Sequence, residues 1–259
     1  MNNLGALYYR QGRFAEAGPL LEAARETLER IDTPAAKEEL GATLVNLATF
    51  YRDTRQMAAA LTAATAALRL LEPLLGENHP LVADALGALG FVHLSMGQAE
   101  LAKEDWQRSH RLRIARLGKD HPDVANSLRN LAVVALAQND PSVALDYLLA
   151  AAAITDASLD QIFSISSERQ RLAHVETLRF TLDAVLTVVV RHMPSDSAAV
   201  GTAFERVLRQ RGLAAEALAA QRDGVLAAKS PELAARFQEL KDLRQRVAGE
   251  ATSLSGDRA

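Results

Sequence analysis

The sequence contains no cysteine, which excludes disulfide bonds, thiolate metal sites and cysteine nucleophiles from its 259 residues. Aromatic residues are also scarce, at 5%, whereas hydrophobic residues make up 49% of the chain and are mainly small and aliphatic. This composition favours helices that pack closely through small side chains. We therefore expect an all-α protein whose function needs no cysteine chemistry.

A strong charge of one sign is missing as well. The net charge is −3 and the pI is near 6.1, so the basic surface of a general nucleic-acid binder is absent. The N-terminus has no signal-peptide pattern, and the apolar run from Ala184 to Val190 is far shorter than the ~20 residues of a membrane span. We expect a soluble, cytoplasmic protein with neither nucleic-acid nor membrane partners.

A period of about 42 residues organises the chain up to about residue 155. The aligned leucines are Leu4, Leu47, Leu89 and Leu131, at spacings of 43, 42 and 42 residues. A small residue follows each leucine, and an alanine lies thirteen residues after it, at Ala17, Ala60, Ala102 and Ala144. Such a period predicts helix pairs that stack, because one pair cannot bury its own apolar face.

Turns between the two helices of each pair are expected eight residues after the aligned leucine. These positions hold Gly12, Arg55, Gly97 and Asn139. Glycine and asparagine accept the left-handed conformation that ends a helix, and Arg55 fits this role less well.

Two His-Pro pairs begin the third and fourth units, at His79 and His121. Proline is preorganised for the first position of a helix, so we interpret both histidines as helix-start residues rather than as a metal or catalytic pair. His93, His110 and Trp106 are interpreted as packing residues. No Gly-rich phosphate loop, nucleophile elbow or H-E-x-x-H motif occurs, so neither catalysis nor a cofactor or metal is expected.

The pattern resembles the tetratricopeptide repeat, whose L-G-x-x-Y piece stands here as Leu4-Gly5-Ala6-Leu7-Tyr8. The usual repeat has ~34 residues. The longer period, with L-G-x-x-H-P beginning at Leu75 and Leu117, is similar to the kinesin-light-chain type. The resemblance covers residues 1 to about 155. It implies a right-handed α-solenoid of stacked helix pairs that binds a protein or peptide ligand.

The repeat pattern ends after Ala150. A capping box at Ser167 predicts a helix to about His192, and Met193–Asp196 interrupts it. Further helices are expected from Ser197 to about Ala228 and from Ser230 onward. We therefore divide the chain into a repeat array of about four units, the first incomplete (1–158), a helical linker region (159–252) and a flexible tail (253–259).

The linker region resembles the segment between the repeats and the caspase-like domain of bacterial CHAT-domain proteins. Residues 167–173, 204–212 and 237–247 carry this resemblance. In that family the catalytic His and Cys lie C-terminal to this segment. Because this chain has no cysteine and no such domain, the resemblance implies a regulatory region and no protease activity of its own.

The candidate binding surface is the concave face, which the first helix of each pair lines in such arrays. Binding is predicted for Asn3, Arg10, Asn46, Arg52, Asp84, Phe91, Asn126, Arg129 and Asn130, with Asn2, Tyr9, Thr49, Asp53 and Val133 also facing inward. Asn3, Asn46 and Asn130 share the position before the aligned leucine, where an amide can bond both polar groups of an extended peptide backbone. An ordinary polar surface explains these asparagines equally well. The Lys/Asn/Arg set of carboxylate-clamp repeats is not reproduced.

Three functional interpretations follow. The first is a scaffold or sensor that binds a protein or peptide. The second is a regulatory fragment of a CHAT-type protease whose catalytic domain lies C-terminal to this chain. The third is self-association through open repeat ends. Met1 lies only three residues before Leu4, so most of the first helix is expected to be missing, either because the chain is part of a longer array or because its reading frame starts inside one.

Overall fold

The computed structural model describes residues 1–163, 168–211 and Glu239, and the described ranges contain helices and no strand. The helices are α1 (Asn2–Arg10), α2 (Phe14–Glu29), α3 (Pro34–Asp53), α4 (Met57–Leu75), α5 (Pro80–Ser95), α6 (Ala99–Leu117), α7 (Pro122–Ala137), α8 (Pro141–Phe163), α9 (Glu168–His192) and α10 (197–211). The all-α class is confirmed. The helices expected beyond residue 211 and the tail at 253–259 lie outside the described residues.

The odd-numbered helices α1 to α7 are the first helices of four units, and the even-numbered helices α2 to α8 are the second helices. Each first helix packs on its own second helix, and each second helix packs on the first helix of the next unit. Helices α3 and α5 also contact each other directly. This order is that of stacked pairs, as the 42-residue period predicts.

The His-Pro pairs begin helices as expected. His79 is the N-cap of α5, and its Nδ1 accepts a hydrogen bond from the Leu81 N–H at 3.3 Å. His121 caps α7 in the same way, accepting from the Asp123 N–H at 3.1 Å. Both histidines therefore satisfy a helix-end N–H that would otherwise lack a partner.

All four inter-helix turn residues adopt a positive φ, including Arg55, which is neither glycine nor asparagine. The angles are 74° at Gly12, 66° at Arg55, 78° at Gly97 and 60° at Asn139. The turn geometry therefore overrides the residue preference at Arg55, whose Cβ makes this conformation unfavourable.

Small residues of the first helices face the second helices, and their size matches what they face. The four second-helix alanines are fully buried. A Cβ built on Gly90 would lie 2.4 Å from Trp106 Nε1, so only glycine leaves room for the indole. Trp106 is buried and donates to the Gly87 carbonyl at 3.1 Å. Its interpretation as a packing residue is confirmed.

The first unit is less complete than the others. Helix α1 has nine residues, whereas α3 has 20. Leu4 is 44% exposed although Leu47 is fully buried at the same repeat position. Helix α2 packs on α3, which carries Leu47, whereas among the described residues no helix takes that place beside α1.

Helices α9 and α10 continue the packing beyond the last recognisable repeat. Val185, Val188 and Val189 of α9 and Ala199 and Ala203 of α10 share a buried cluster with α7 and α8. One compact unit accordingly runs from Met1 to Ala203, and a second begins at Phe204. Residue 158 marks where the sequence pattern ends, and its use as a domain boundary stays a prediction.

Helix α4 is long and apolar enough to cross a membrane by length and composition, a feature that the sequence interpretation overlooked. Its Ala60, Ala64, Ala67 and Leu71 are fully buried within the repeat array. A core helix passes the same test, and this buried stripe explains part of the apolar composition of α4.

Candidate functional site

Side chains one residue before, two after and six after each aligned leucine lie on one side of the first helices, because these positions repeat at helical spacing. We call this surface the first-helix face. It includes Asn3, Arg10, Asn46, Thr49, Asp53, Phe91, Asn130 and Val133, with Asp84 and Asn126 one turn nearer the N-terminus of their helices. Arg52 and Arg129 lie on the flank of this face that meets the next unit.

A chain of side-chain contacts joins α1, α3 and α5 across the face. Tyr9 donates its hydroxyl proton to Asp53 Oδ2 at 2.6 Å, and Arg52 Nε donates to Asp53 Oδ1 at 2.8 Å. The Arg52 guanidinium lies 4.8 Å from the centre of the Phe91 ring. Phe91 in turn meets Trp106 edge to face, with ring centres 4.9 Å apart. Each of these side chains therefore already has a partner within the protein.

The hydroxyl of Tyr9 is held in its protonated form. Burial raises the pKa of Tyr9 from 10.0 to about 12, and the Asp53 carboxylate adds to the shift because a tyrosinate would lie against a second negative charge. Tyr9 therefore remains a hydrogen-bond donor to Asp53 across the physiological pH range.

The predicted asparagine series is uneven. Asn46 Nδ2 donates to the Oδ1 of the buried Asn2 at 2.8 Å, so part of the Asn46 amide is already used. Asn3 is exposed on α1, and Asn130 is half-buried on α7. Asn130 makes no side-chain hydrogen bond within the described ranges, which leaves its whole amide available.

Asp84 is paired with an arginine that the sequence interpretation did not include. Arg113 extends from α6, and its Nη2 lies 2.8 Å from Asp84 Oδ1 while its Nη1 donates to the Asp123 carbonyl at 3.3 Å. Burial raises the pKa of Asp84, and the Arg113 guanidinium opposes that shift. The charge of Asp84 is thus balanced from within the protein.

Arg129 has a different environment. Its Nη1 donates to Thr181 Oγ1 on α9 at 3.4 Å, and its Nη2 donates to Asn126 Oδ1 on its own helix. Burial lowers the pKa of the Arg129 guanidinium. Both partners are neutral oxygens. Val133, one turn further along α7, is 45% exposed.

The histidines predicted to be packing residues make contacts within the array. His93 Nδ1 lies 2.7 Å from Asp105 Oδ2, and burial raises the pKa of that aspartate. His110 Nδ1 lies 2.7 Å from Ser127 Oγ. Among the residues that the structure describes, no group of three or more His, Cys, Asp or Glu side chains could hold a metal ion.

The structure brings only part of the predicted set together. Arg52 and Phe91 are in contact, and Asn126 and Arg129 are in contact, but Arg10 makes no side-chain bond in the described part of the chain. The repeat register could have indicated the contacts between units, because Tyr9 and Arg52 both lie five residues after the aligned leucine and each reaches the next unit. Arg113 and Thr181 come from other helices, and no first-helix pattern indicates them.

Comparison with known proteins identifies the repeats. Tetratricopeptide repeat profiles match residues 1–31, 39–104 and 85–157. No curated protein sequence matches the chain.

Solved structures of low sequence identity share the fold. BtubC (BKLC) from P. vanneervenii has a TM-score of 0.61 at 19% identity, with 85% of this chain and 78% of that chain covered. Repeats of a putative kinesin light chain from Podosopora anserina give 0.58 at 21% identity, with 85% and 94% covered. A Rap protein complexed with Competence and Sporulation Factor gives 0.53 at 17% identity, with 95% and 74% covered.

Proposed function

The chain belongs to the tetratricopeptide repeat family through residues 1–31 and 39–157, and we propose that it is a non-catalytic module that binds a protein or peptide on the first-helix face. The proposal includes a cytoplasmic location and partners that are neither nucleic acid nor membrane. Arrays of this kind bind ligands along an extended surface made by several repeats. A Rap protein of the same fold is complexed with Competence and Sporulation Factor, which supports a ligand-binding role.

The observation that carries the proposal is the surface of α7. Here the exposed Val133 lies near Asn130, whose amide has no bonding partner in the described ranges. An apolar group beside a free amide suits a peptide, which offers both an apolar side chain and a polar backbone. The predicted residues on α3 and α5 would contribute mainly shape, because their side chains already contact one another.

Substitution of Val133 tests this role. We would expose the immobilised protein to a pool of random twelve-residue peptides and quantify retained peptides by mass spectrometry. Val133→Asp should reduce retention at least about tenfold, because it replaces an apolar contact with a carboxylate that can pair with Arg129 four residues before it and so leaves no apolar surface for the ligand. The matched control is Val143→Asp on the second helix α8, where the native valine is 38% exposed. Equal losses for the two variants would contradict binding on the first-helix face.

A second role follows from the resemblance of residues 167–173 and 204–212 to the segment before a CHAT domain. In this proposal the array is the regulatory part of a protease, and residues 159–252 connect it to the catalytic domain. Reading the gene beyond the codon for Ala259 is the test. A following domain with a catalytic His and Cys would support this role, and a stop codon would contradict it.

Self-association is proposed at the first unit, where Leu4 and Leu7 are 44% and 49% exposed. Two such ends could cover each other. Light scattering over a range of concentrations should show a mass that rises above 27.9 kDa. A mass that stays at the monomer value at every concentration would exclude this contact.

A further inference from the structure

Two junctions between neighbouring units differ at the same positions of the repeat. Where the third unit meets the fourth, His110 of α6 contacts Ser127 of α7, with Nδ1 2.7 Å from Oγ. The same positions at the preceding junction, 42 residues earlier, hold Leu68 of α4 and Ala85 of α5, which belong to one apolar cluster. One junction therefore carries a titratable side chain where the other is apolar.

The hydroxyl proton of Ser127 indicates which nitrogen of His110 carries a proton. Ser127 is buried, and its Oγ donates to the Val124 carbonyl at 2.7 Å. A hydroxyl has a single proton, so the contact between the two side chains is made by a proton on His110 Nδ1. Nε2 of the neutral ring is then the atom that takes up a proton in acid.

The surroundings of His110 oppose a positive charge on the ring. Burial lowers the pKa of the half-buried His110, and the guanidinium groups of Arg111 and Arg113 on the same helix lower it further. Among the residues that the structure describes, no carboxylate lies within ion-pair distance of His110. A protonated ring would therefore lack a counter-charge.

The carboxylates that α4, α5, α6 and α7 bring to this region already have partners. Asp123 of α7 accepts a hydrogen bond from Asn126 and lies 3.7 Å from His121. Arg129, the other charged side chain of α7, is a further cation. The remaining pairs are Asp84 with Arg113, Glu72 with Arg108, and Asp105 with His93.

We infer that the junction of α6 and α7 is acid-sensitive, so that proton uptake by His110 weakens the docking of the fourth unit on the third. This inference goes beyond the proposed function and does not depend on it. The charged ring is more stable in water, and its departure would leave the buried Ser127 oxygen without its donor. Because α7 carries Asn130 and Val133, acid would also loosen the predicted binding surface.

The direction of the effect follows from the lowered pKa of His110. The neutral ring contributes to stability fully above pH 6.5, its ordinary value, and this contribution is lost as the pH falls through the lower value of the folded protein. The preceding junction has no titratable group at these positions and should not respond through them.

Hydrogen exchange of the α7 backbone amides tests the inference. Between about pH 7.5 and about pH 5, after correction for the intrinsic effect of pH, the wild-type rates should rise at least about threefold. The double variant His110→Leu/Ser127→Ala copies the preceding junction and should lose this rise. His110→Gln is neutral at every pH and keeps a donor, so it should lose the rise as well. It also serves as the folded variant if the double variant lowers the thermal midpoint.

His121→Asn is the matched control, because His121 is a second histidine at this junction and caps α7 itself. Asparagine keeps an N-cap acceptor, so the rise in exchange should persist in this variant. An NMR titration should show the His110 ring ionising below pH 6.5.

Three outcomes would overturn the inference. The first is a wild-type chain whose α7 exchange does not rise in acid. The second is a rise that persists in both His110 variants or disappears in His121→Asn. The third is a His110 ring that ionises at or above pH 6.5.

Discussion

The first-helix face has two parts that differ in how their charges are balanced. From α1 to α5, Tyr9, Asp53, Arg52 and Phe91 form a continuous series of contacts between units. On α7, among the residues that the structure describes, Arg129 reaches α9 through a hydrogen bond to Thr181. In the first part these four side chains have partners within the protein, although Arg10 makes no side-chain bond among the described residues. In the second part the amide of Asn130 makes no side-chain hydrogen bond within the described ranges.

Both parts come from the same repeat, so the difference lies in a few side chains. The position five residues after the aligned leucine is Tyr9 or Arg52 in the first two units and Leu94 or Leu136 in the last two. Tyr9 reaches the next unit through a hydrogen bond to Asp53, and Arg52 reaches it through a contact with the Phe91 ring. Leucine side chains cannot make such polar contacts.

The largest predicted effect concerns the packing of α5 against Trp106, because α5 carries Phe91, the last first-helix residue in the series of contacts. Gly90→Ala places a Cβ 2.4 Å from Trp106 Nε1. We expect the free energy of unfolding to fall by about 3 kcal/mol, because the rigid indole must shift and lose its bond to the Gly87 carbonyl. Denaturant titration measures this loss.

Gly87→Ala in the same helix is the control for that substitution. The nearest atom to its added Cβ is an Arg113 nitrogen at 4.0 Å, so the methyl group fits. Replacing a mid-helix glycine should then stabilise the protein by about 0.5–1 kcal/mol. If the two alanine variants had equal stability, close packing of Trp106 would not be what positions α5.

An intermediate effect is predicted when the series of contacts is cut at Asp53. Asp53→Ala removes the partner of both Tyr9 and Arg52 and should lower the free energy of unfolding by about 1–2 kcal/mol. Asn126→Ala on α7 removes two exposed hydrogen bonds within its own helix, to Asp123 and from Arg129, and should cost less than about 0.5 kcal/mol. Similar losses for the two variants would mean that the two parts of the face do not differ as described.

The Asp53→Ala variant should also change the alkaline titration of Tyr9. The pKa of Tyr9 is raised from 10.0 to about 12 in the folded protein, so its contribution to stability is complete below pH 10 and is lost as the pH rises towards 12. In Asp53→Ala burial remains but the carboxylate is gone. Spectroscopic titration should therefore show Tyr9 ionising at a lower pH than in the wild type, though still above its ordinary value.

The smallest predicted effect compares the turns of the two parts. Arg55, after α3, has φ 66°, and Asn139, after α7, has φ 60°. Arg55→Gly should raise the free energy of unfolding by about 1 kcal/mol, because glycine adopts this conformation without steric cost. Asn139→Gly should gain less, since asparagine already tolerates it. Thermal melts of both variants would show a larger gain for Asn139→Gly if this explanation were incorrect.

Sequence reasoning succeeded where a local preference repeats along the chain. The His-Pro pairs at His79 and His121 and the turn positions predicted helix ends because capping and left-handed turns depend on a few neighbouring residues. It failed to find Arg113 and Thr181, which approach the first-helix face from other helices. It also did not predict that Arg52 pairs with its neighbour Asp53, and the binding role of Arg52 stays a prediction.

The sequence by itself determined the helix pairs, their order and which positions share one side of each first helix, since periodicity and capping are local properties of the chain. Only the tertiary structure decided which side chains on that face are already paired, because hydrogen bonds and ion pairs depend on distances between helices. Arg52 and Arg129 are both arginines at the flank of a first helix. They differ because packing places a carboxylate beside Arg52 and only neutral oxygens beside Arg129.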